Sequence, residues 1–267
     1  MPSLTLTILG AGPAAPNVGG ACSGYLVREG DTALLLDCGS GVAGRISQHV
    51  QPQRLHATTI SHLHPDHYFD LVPLYYILKF GEPRPTEPAE LAGRLPVYLP
   101  PGGRAFMRRL GELISDKPAM LEDVFELCEY SAAAEVHVGC LTLSYVRVQH
   151  YVPSHAVRIR GSNGATLVFS SDVGPCPELV DAARGADVLL CESALLDPAQ
   201  DEPEPGRRGH MSAAEAGAAA HQAGAGHLVL THFRSGPAYD EHHHSAASQA
   251  FGGPVDLARE GHTYTVG

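Results

Sequence analysis

The stretch TTISHLHPDHYFDL, residues 58–71, sets three histidines and two aspartates directly behind a β-branched run. A polar surface loop explains any one of them. Four ligand-type side chains within six positions (His62, His64, Asp66 and His67) are a more specific pattern, and they read as a metal loop. His62 and His64 lie two apart just after an apolar strand and can reach one cation. Asp66 and His67 stand at the start of the next helix, opened by Pro65, and can reach a second. Imidazole and carboxylate donors suit zinc, and less selectively iron or manganese.

Two cations need more donors than one loop supplies, which sends the reading outward. LTLTIL (4–9), GYLVRE (24–29), TALLLDCG (32–39) and LHATTIS (55–61) read as strands, with a short helix at GVAGRISQHV. PDHYFDLVPLYYILKF (65–80) has helical spacing, and Pro73 is expected to kink or shorten it. Residues 81–96 read as a surface loop, PVYLP as a strand and GGRAFMRRLGELI as a helix. VHVGCLTLSYVRVQ (136–149) and HAVRIRGSNGATLVFSSD (155–172) read as hairpin strands, the latter turning at SNG. PELVDAARG reads as a helix, DVLLCES as a buried strand and residues 197–209 as an acidic, Pro-rich loop. SAAEAGAAAHQAG (212–224) opens on a capping box and closes on glycine. HLVLTH (227–232) is a strand, and AYDEHHHSAASQAF a final amphipathic helix before PVDLARE and TYTV.

Three of these strands end on a further donor: His150, Asp172 and His232. Strand-rich halves, each followed by helices, predict an α/β fold. It is a four-layer αββα sandwich of two mixed sheets with helices on the outer faces, in a single domain over residues 1–267.

Composition narrows the class. The chain has 267 residues, 44% of them hydrophobic, a formal charge of −11 and 16 histidines. That acidity argues against a large nucleic-acid footprint. The six cysteines (22, 38, 128, 140, 176, 191) are scattered without a CxxC pair, which suits reduced thiols in the cytoplasm. The opening MPSLTLTILGAG reads as a first strand rather than a signal peptide, and no run is long enough to span a bilayer.

The HxHxDH loop, followed in order by a later His, Asp and His, resembles the metallo-β-lactamase superfamily over nearly the whole chain. HYVPSHAVRI, VFSSDVGPCPEL, LLCESALL, GHMSAAEAG and LTHFRSG resemble its ribonuclease Z-like, phosphodiesterase branch. The resemblance implies that His62, His64 and His150 hold one metal, that Asp66, His67 and His232 hold a second, and that Asp172 bridges them. Asp37, in LLLDCGSG, would orient a ligand histidine. Glu192 and His210 would help protonate the leaving group. Ser171 stands where that branch often has glycine, and His155 where it often has an aromatic residue.

Bacterial transfer-RNA-processing members carry a long arm between the third-motif histidine and the bridging aspartate. Only residues 151–171 separate His150 from Asp172, which leaves no room for it. The resemblance therefore turns toward the small-molecule phosphodiesterases of the branch, which SGYLV and DVFEL also resemble. The expected reaction is hydrolysis of small phosphodiesters, cyclic nucleotides favoured, by a hydroxide held between two divalent cations. Structured RNA is an unfavoured substrate, no membrane partner is expected, and a homodimer is the assembly open to the chain. Alternatives are RNA 3′-end processing, hydrolysis of a lactone or thioester on the same fold, and a non-catalytic metal-binding scaffold.

Other features take blander readings. GAGPAAPNVGG (10–20) is a turn near the cleft, HHH (242–244) a solvated helix face, and Arg207 and Arg208 a charged loop. Tyr75 and Tyr76 are expected in the helix–sheet core, and Cys38 and Cys191 as small buried residues.

Overall fold

TALLL and VLLCE are apolar runs buried along their whole length, the mark of strands covered on both faces. In the computed structural model, which describes residues 2–81, 93–200 and 207–267, they lie at the middle of two sheets. The centres of the two expected Pro-rich loops lie outside the described residues.

The first sheet takes β1 (Leu4–Gly10), β2 (Gly24–Glu29), β3 (Thr32–Leu36), β4 (Ala57–Thr59), β5 (Leu95–Leu99) and β6 (Phe125–Glu129). The second takes β7 (Val136–Val138), β8 (Leu141–Val148), β9 (Ser154–Arg160), β10 (Thr166–Phe169), β11 (Val188–Glu192), β12 (His227–Thr231) and β13 (Val255–Leu257). The last strand, β14 (Thr263–Val266), returns to pair antiparallel with β1, giving the orders β14-β1-β2-β3-β4-β5-β6 and β13-β12-β11-β10-β9-β8-β7.

Inner-face side chains of both sheets, among them Leu6, Tyr25, Leu34, Tyr145, Ile159, Phe169 and Leu190, make one central core. Outside the first sheet pack α1 (Ala43–Ile46), α2 (Pro65–Tyr68), α3 (Leu71–Phe80) and α4 (Gly103–Ser115). Outside the second pack α5 (Pro177–Ala183), α6 (Ala213–Ala223) and α7 (Pro237–Phe251). This is the four-layer αββα sandwich expected from the sequence.

Several local readings change. The 65–80 helix is two helices, broken at Phe69–Asp70 rather than kinked at Pro73. Restarting there puts Pro73 in a first turn, where a missing N–H leaves no helix bond unmade. FELCE is a strand, β6, on the sheet edge. Tyr75 is buried as expected, but Tyr76 is about half exposed. His243 is not on a solvated face: it is 1% exposed, with its ring nitrogens 2.7 Å from Tyr239 O and 2.8 Å from Ser193 O.

Strand direction sets up the site. β3 and β4 are parallel, as are β10, β11 and β12, and β8 runs the same way as β10 because both are antiparallel to β9. Their carboxyl ends lead into Asp37, His62, His150, Asp172, Glu192 and His232. Ligands in open α/β sheets bind at carboxyl ends.

Candidate metal centre

The seven expected ligands form two overlapping groups. Ligand atoms of His62, His64, His150 and Asp172 all lie within 4.8 Å of one another, as do those of Asp66, His67, Asp172 and His232. The rings of His62, His64 and His150 form a near-equilateral triangle, with centroids 4.9 to 5.0 Å apart. Asp172 belongs to both groups. Its Oδ1 is 3.2 Å from His67 Nε2, and its Oδ2 is 3.4 Å from His232 Nε2 and 3.7 Å from His62 Nε2. Asp66 Oδ2 lies 3.1 Å from His232 Nε2 and 3.5 Å from His67 Nε2.

Backbone geometry delivers these side chains. Asp37, Ser171 and His232 all have left-handed backbone, with φ between 56° and 59°. Each sits where a strand turns sharply at its end. Gly39 lets the next loop approach, since a Cβ there would lie 1.8 Å from Asp66 O. The 10–20 turn braces the last ligand: His232 N–H donates to Ala11 O, and Asn17 Nδ2 to Phe233 O.

Neighbouring groups fix the imidazoles. His67 Nδ1–H donates to Asp37 Oδ2 at 2.7 Å, the orienting contact expected of Asp37. His150 Nδ1–H donates to Gly209 O at 2.7 Å, leaving its Nε2 lone pair 3.1 Å from His64 Nδ1. Burial pulls the pKa of His150 down to about 4 and lowers those of His62 and His64, which keeps their lone pairs available. Burial also works against charge on His67, but Asp172 and Asp37 overcome it and raise its pKa well above the ordinary value. Burial pushes Asp66 and Asp172 upward, and the histidines around them reverse this, so both carboxylates are ionised.

The residues fit a cation. His62 Nε2, His67 Nε2 and Asp172 Oδ1, all facing the cluster, are buried polar atoms without a hydrogen-bond partner, a costly arrangement for a centre of protein atoms alone. Imidazoles and ionised carboxylates facing one another are the donor set of zinc and similar divalent ions.

Beside the second group lies a buried carboxylate–imidazole pair. Glu192, fully buried, takes His210 Nδ1–H at 2.8 Å, Val173 N–H at 2.7 Å and Ala194 N–H at 3.0 Å. The His210 ring stacks 5.8 Å from His232 and stands edge-on 5.0 Å from His150. Arg208, expected as loop charge, is paired with Glu215 and donates to His210 O, so it holds this segment to α6. Cys38 and Cys191 are buried, as expected.

Tyr151 and Ser61 escaped the sequence reading. Tyr151 is 51% exposed, with its ring 5.2 Å from that of His150 and 5.9 Å from that of His210. It lies over Gly209, where any Cβ would come within 2.4 Å of the ring. The hydroxyls of Ser61 and Ser171 line the back of His62, and Ser154, from the HYVPSHAVRI segment, holds that of Ser171. Only a position next to an expected donor could have marked Tyr151 and Ser61.

Residues 32–233 match the family described as "Beta-lactamase superfamily domain". The protein ML1173 of Mycobacterium leprae is 34% identical over 99% of this chain and 89% of its own length. A protein of Mycobacterium bovis named ribonuclease Z is 31% identical over 98% of each chain. The crystal structure of the metallo-β-lactamase fold protein YhfI from Bacillus subtilis superposes with a TM-score of 0.81 at 26% identity, over 100% of both chains. Within the described residues, no helix is long and apolar enough to cross a membrane. Fold, matched family and clustered His/Asp donors agree: the chain belongs to the β-lactamase superfamily and is a metallo-β-lactamase-fold hydrolase.

Proposed function

We propose that this chain, working as one domain, is a phosphodiesterase that hydrolyses small phosphodiesters, with cyclic nucleotides as the favoured class. The observation that carries the substrate class is the His210–Glu192 pair beside the donor cluster. A thioester releases a thiolate, which parts with little proton assistance, whereas a sugar alkoxide leaves poorly without a proton; a lactone also expels an alkoxide, and the assay panel below separates it.

In this reading His62, His64 and His150 would hold one divalent cation, Asp66, His67 and His232 would hold a second, and Asp172, which belongs to both donor groups, would serve each. Zinc is the expected metal, with manganese or iron also suited to the donors. Such a pair supplies positive charge to a phosphate and lowers the pKa of water toward neutrality. Asp66 accepts a hydrogen bond from the attacking water and sets its direction. Glu192 accepts only, so it keeps a proton on His210 Nδ1 and holds the ring toward the leaving oxygen. Tyr151 offers a half-exposed ring face to a nucleobase. Six free cysteines support a reducing, cytoplasmic setting.

A second reading, RNA 3′-end processing, is favoured by the mycobacterial relative named ribonuclease Z. Against it stand the acidic charge and the short β9–β10 hairpin that fills the interval between His150 and Asp172. One assay panel on metal-quantified protein decides: bis-nitrophenyl phosphate, cyclic AMP, cyclic GMP, 2′,3′-cyclic nucleotides, a transfer-RNA precursor and a lactone. Turnover of cyclic nucleotides supports the proposal. Turnover of the lactone alone overturns the substrate class, and turnover of the RNA precursor without the cyclic nucleotides selects the second reading.

A further inference from the structure

Three residues at the centre have left-handed backbone, and they differ in how readily they adopt it. Aspartate and histidine are enriched there; serine is not. Ser171, at φ 59°, is therefore the costly member, and glycine would hold the same backbone without strain. Its hydroxyl explains the choice of side chain.

The proton count is closed. Ser154 Oγ lies 2.8 Å from Asp172 O, a carbonyl that can only accept, so Ser154 donates there. Ser154 can then only accept from Ser171 Oγ, also at 2.8 Å, and Ser171 donates to it. The Ser171 oxygen, 3.2 Å from His62 Nδ1, is left as an acceptor. Ser61 arrives at the same state from the other side. Its Oγ–H donates to Asp37 Oδ2 at 2.7 Å, and its oxygen faces His62 Nδ1 at 3.2 Å. Both hydroxyls present lone pairs to Nδ1, so the imidazole proton sits on Nδ1. The bare Nε2 points at the cluster, where it is buried without a hydrogen-bond partner.

We propose that Ser171 is a positioning residue: its hydroxyl, held by Ser154 and by a strained backbone, locks His62 in the tautomer that offers Nε2 to a divalent cation. The inference rests on the metal-centre reading but not on the identity of the substrate. Ser61 is tied to Asp37, which also holds His67, so it cannot turn toward His62 without releasing Asp37. Ser171 is the half of the clamp that serves His62 alone.

Strain and function then carry opposite signs in one variant. Ser171→Gly relieves the backbone and removes the hydroxyl. Metal-free Ser171→Gly should melt higher than wild type, while its affinity for Zn2+, measured by competition with a chelator, falls about 10- to 100-fold, the range for partners that orient ligands. Ser154→Ala, which touches neither His62 nor any donor atom of the cluster and meets Asp172 only at its backbone carbonyl, should also weaken Zn2+ binding, because Ser171 Oγ–H loses its acceptor and can turn toward Nδ1. In the 15N spectrum of the histidines, His62 should show the Nδ1–H tautomer in wild type and lose that preference in both variants. Wild-type zinc affinity and an unchanged tautomer in Ser171→Gly, with the melting temperature raised, would reduce Ser171 to a strained spacer and overturn the inference. If Ser171→Gly fails to fold, the same unchanged affinity and tautomer in Ser154→Ala would overturn it. Wild type that binds no Zn2+ would overturn the metal-centre reading, and this inference with it.

Discussion

Removing the His210 ring tests the assignment of leaving-group chemistry directly. Glu192 receives its imidazole hydrogen at 2.8 Å, and two backbone N–H groups within 3.0 Å fix that carboxylate in turn. The ring is thus pre-aimed, and a positioned proton donor contributes on the order of 10²–10⁴ in rate. At about 1.36 kcal/mol per tenfold, this is roughly 3–5 kcal/mol of barrier for a sugar alkoxide. A nitrophenolate is stable without a proton, so little of that barrier applies to it. His210→Ala should therefore lower kcat/KM about 10²–10⁴-fold on a cyclic nucleotide and less than about tenfold on bis-nitrophenyl phosphate. Both rates are measured on protein of equal metal content, because His210 neighbours His232. An equal loss on the two substrates with metal content unchanged would refute the reasoning and make His210 a support for His232 instead. Glu192→Gln is the companion variant. Its amide sets NH2 against backbone N–H groups and should cost about 1–3 kcal/mol of stability, seen in urea unfolding, which His210→Ala should not.

Three further outcomes follow from the geometry. Zinc binds only the folded centre, so free Zn2+ at about 100 times Kd should add roughly 2.7 kcal/mol, or about 5–10 °C in Tm, over chelator-treated protein; coincident melting curves would refute the donor assignment. His155 is 6% exposed, and burial, then the charge of Arg147, lowers its pKa to about 4, so the unfolded chain takes up that proton first as pH falls below about 6.5. This drains at most about 3 kcal/mol of stability between pH 6.5 and 4, and His155→Phe should unfold in urea with a visibly shallower acid dependence; an unchanged slope would exclude His155 as its source. Tyr151→Ala should raise KM for cyclic AMP by about 5- to 100-fold and leave a base-free ribose cyclic phosphate unaffected, whereas equal shifts on both would remove the ring from base contact.

The clustering of the donors was legible because donor residues have few other reasons to follow apolar strands so closely. Six strands read from apolar runs were enough to bring residues 62 to 232 to one pole. β6 was harder to see: FELCE exposes Glu126 and Glu129 at a sheet edge and lacks a continuous apolar run. The burial of His243 was available from phase, since His243, Ala247 and Phe251 are spaced by four and share the buried face of α7. HHH draws the eye to composition instead. The break before α3 depended on where Pro73 could be tolerated, which two helix registers satisfy. Ser171 was legible only in part: its place, where the resembled branch often has glycine, was marked, but its role was not. Glycine advertises a left-handed turn, but serine there looks like any polar residue, and only φ and the hydroxyl partners show what it does.

The donors also divide by sheet, and this ties the centre to the stability of the fold. His62, His64, Asp66 and His67 follow β4 in the first sheet; His150, Asp172 and His232 follow strands of the second. Between the sheets lies an apolar core, which favours stacking but specifies the alignment of the strand ends only through packing. At the pole, Asp37, Asp66 and Asp172 bring three carboxylates into a nearly dry space, with exposures of 0%, 7% and 2%. Buried charge on that scale is unfavourable unless compensated, and His67 is the one histidine whose pKa the carboxylates raise well above its ordinary value. In the proposed reading, divalent charge shared by both sheets would supply the rest, and loading the centre would also lock one sheet against the other. Amide exchange should therefore slow on zinc binding at the carboxyl ends of β4, β8, β10 and β12 together. Protection confined to the 62–67 loop would mean that the two groups of donors do not act as one centre.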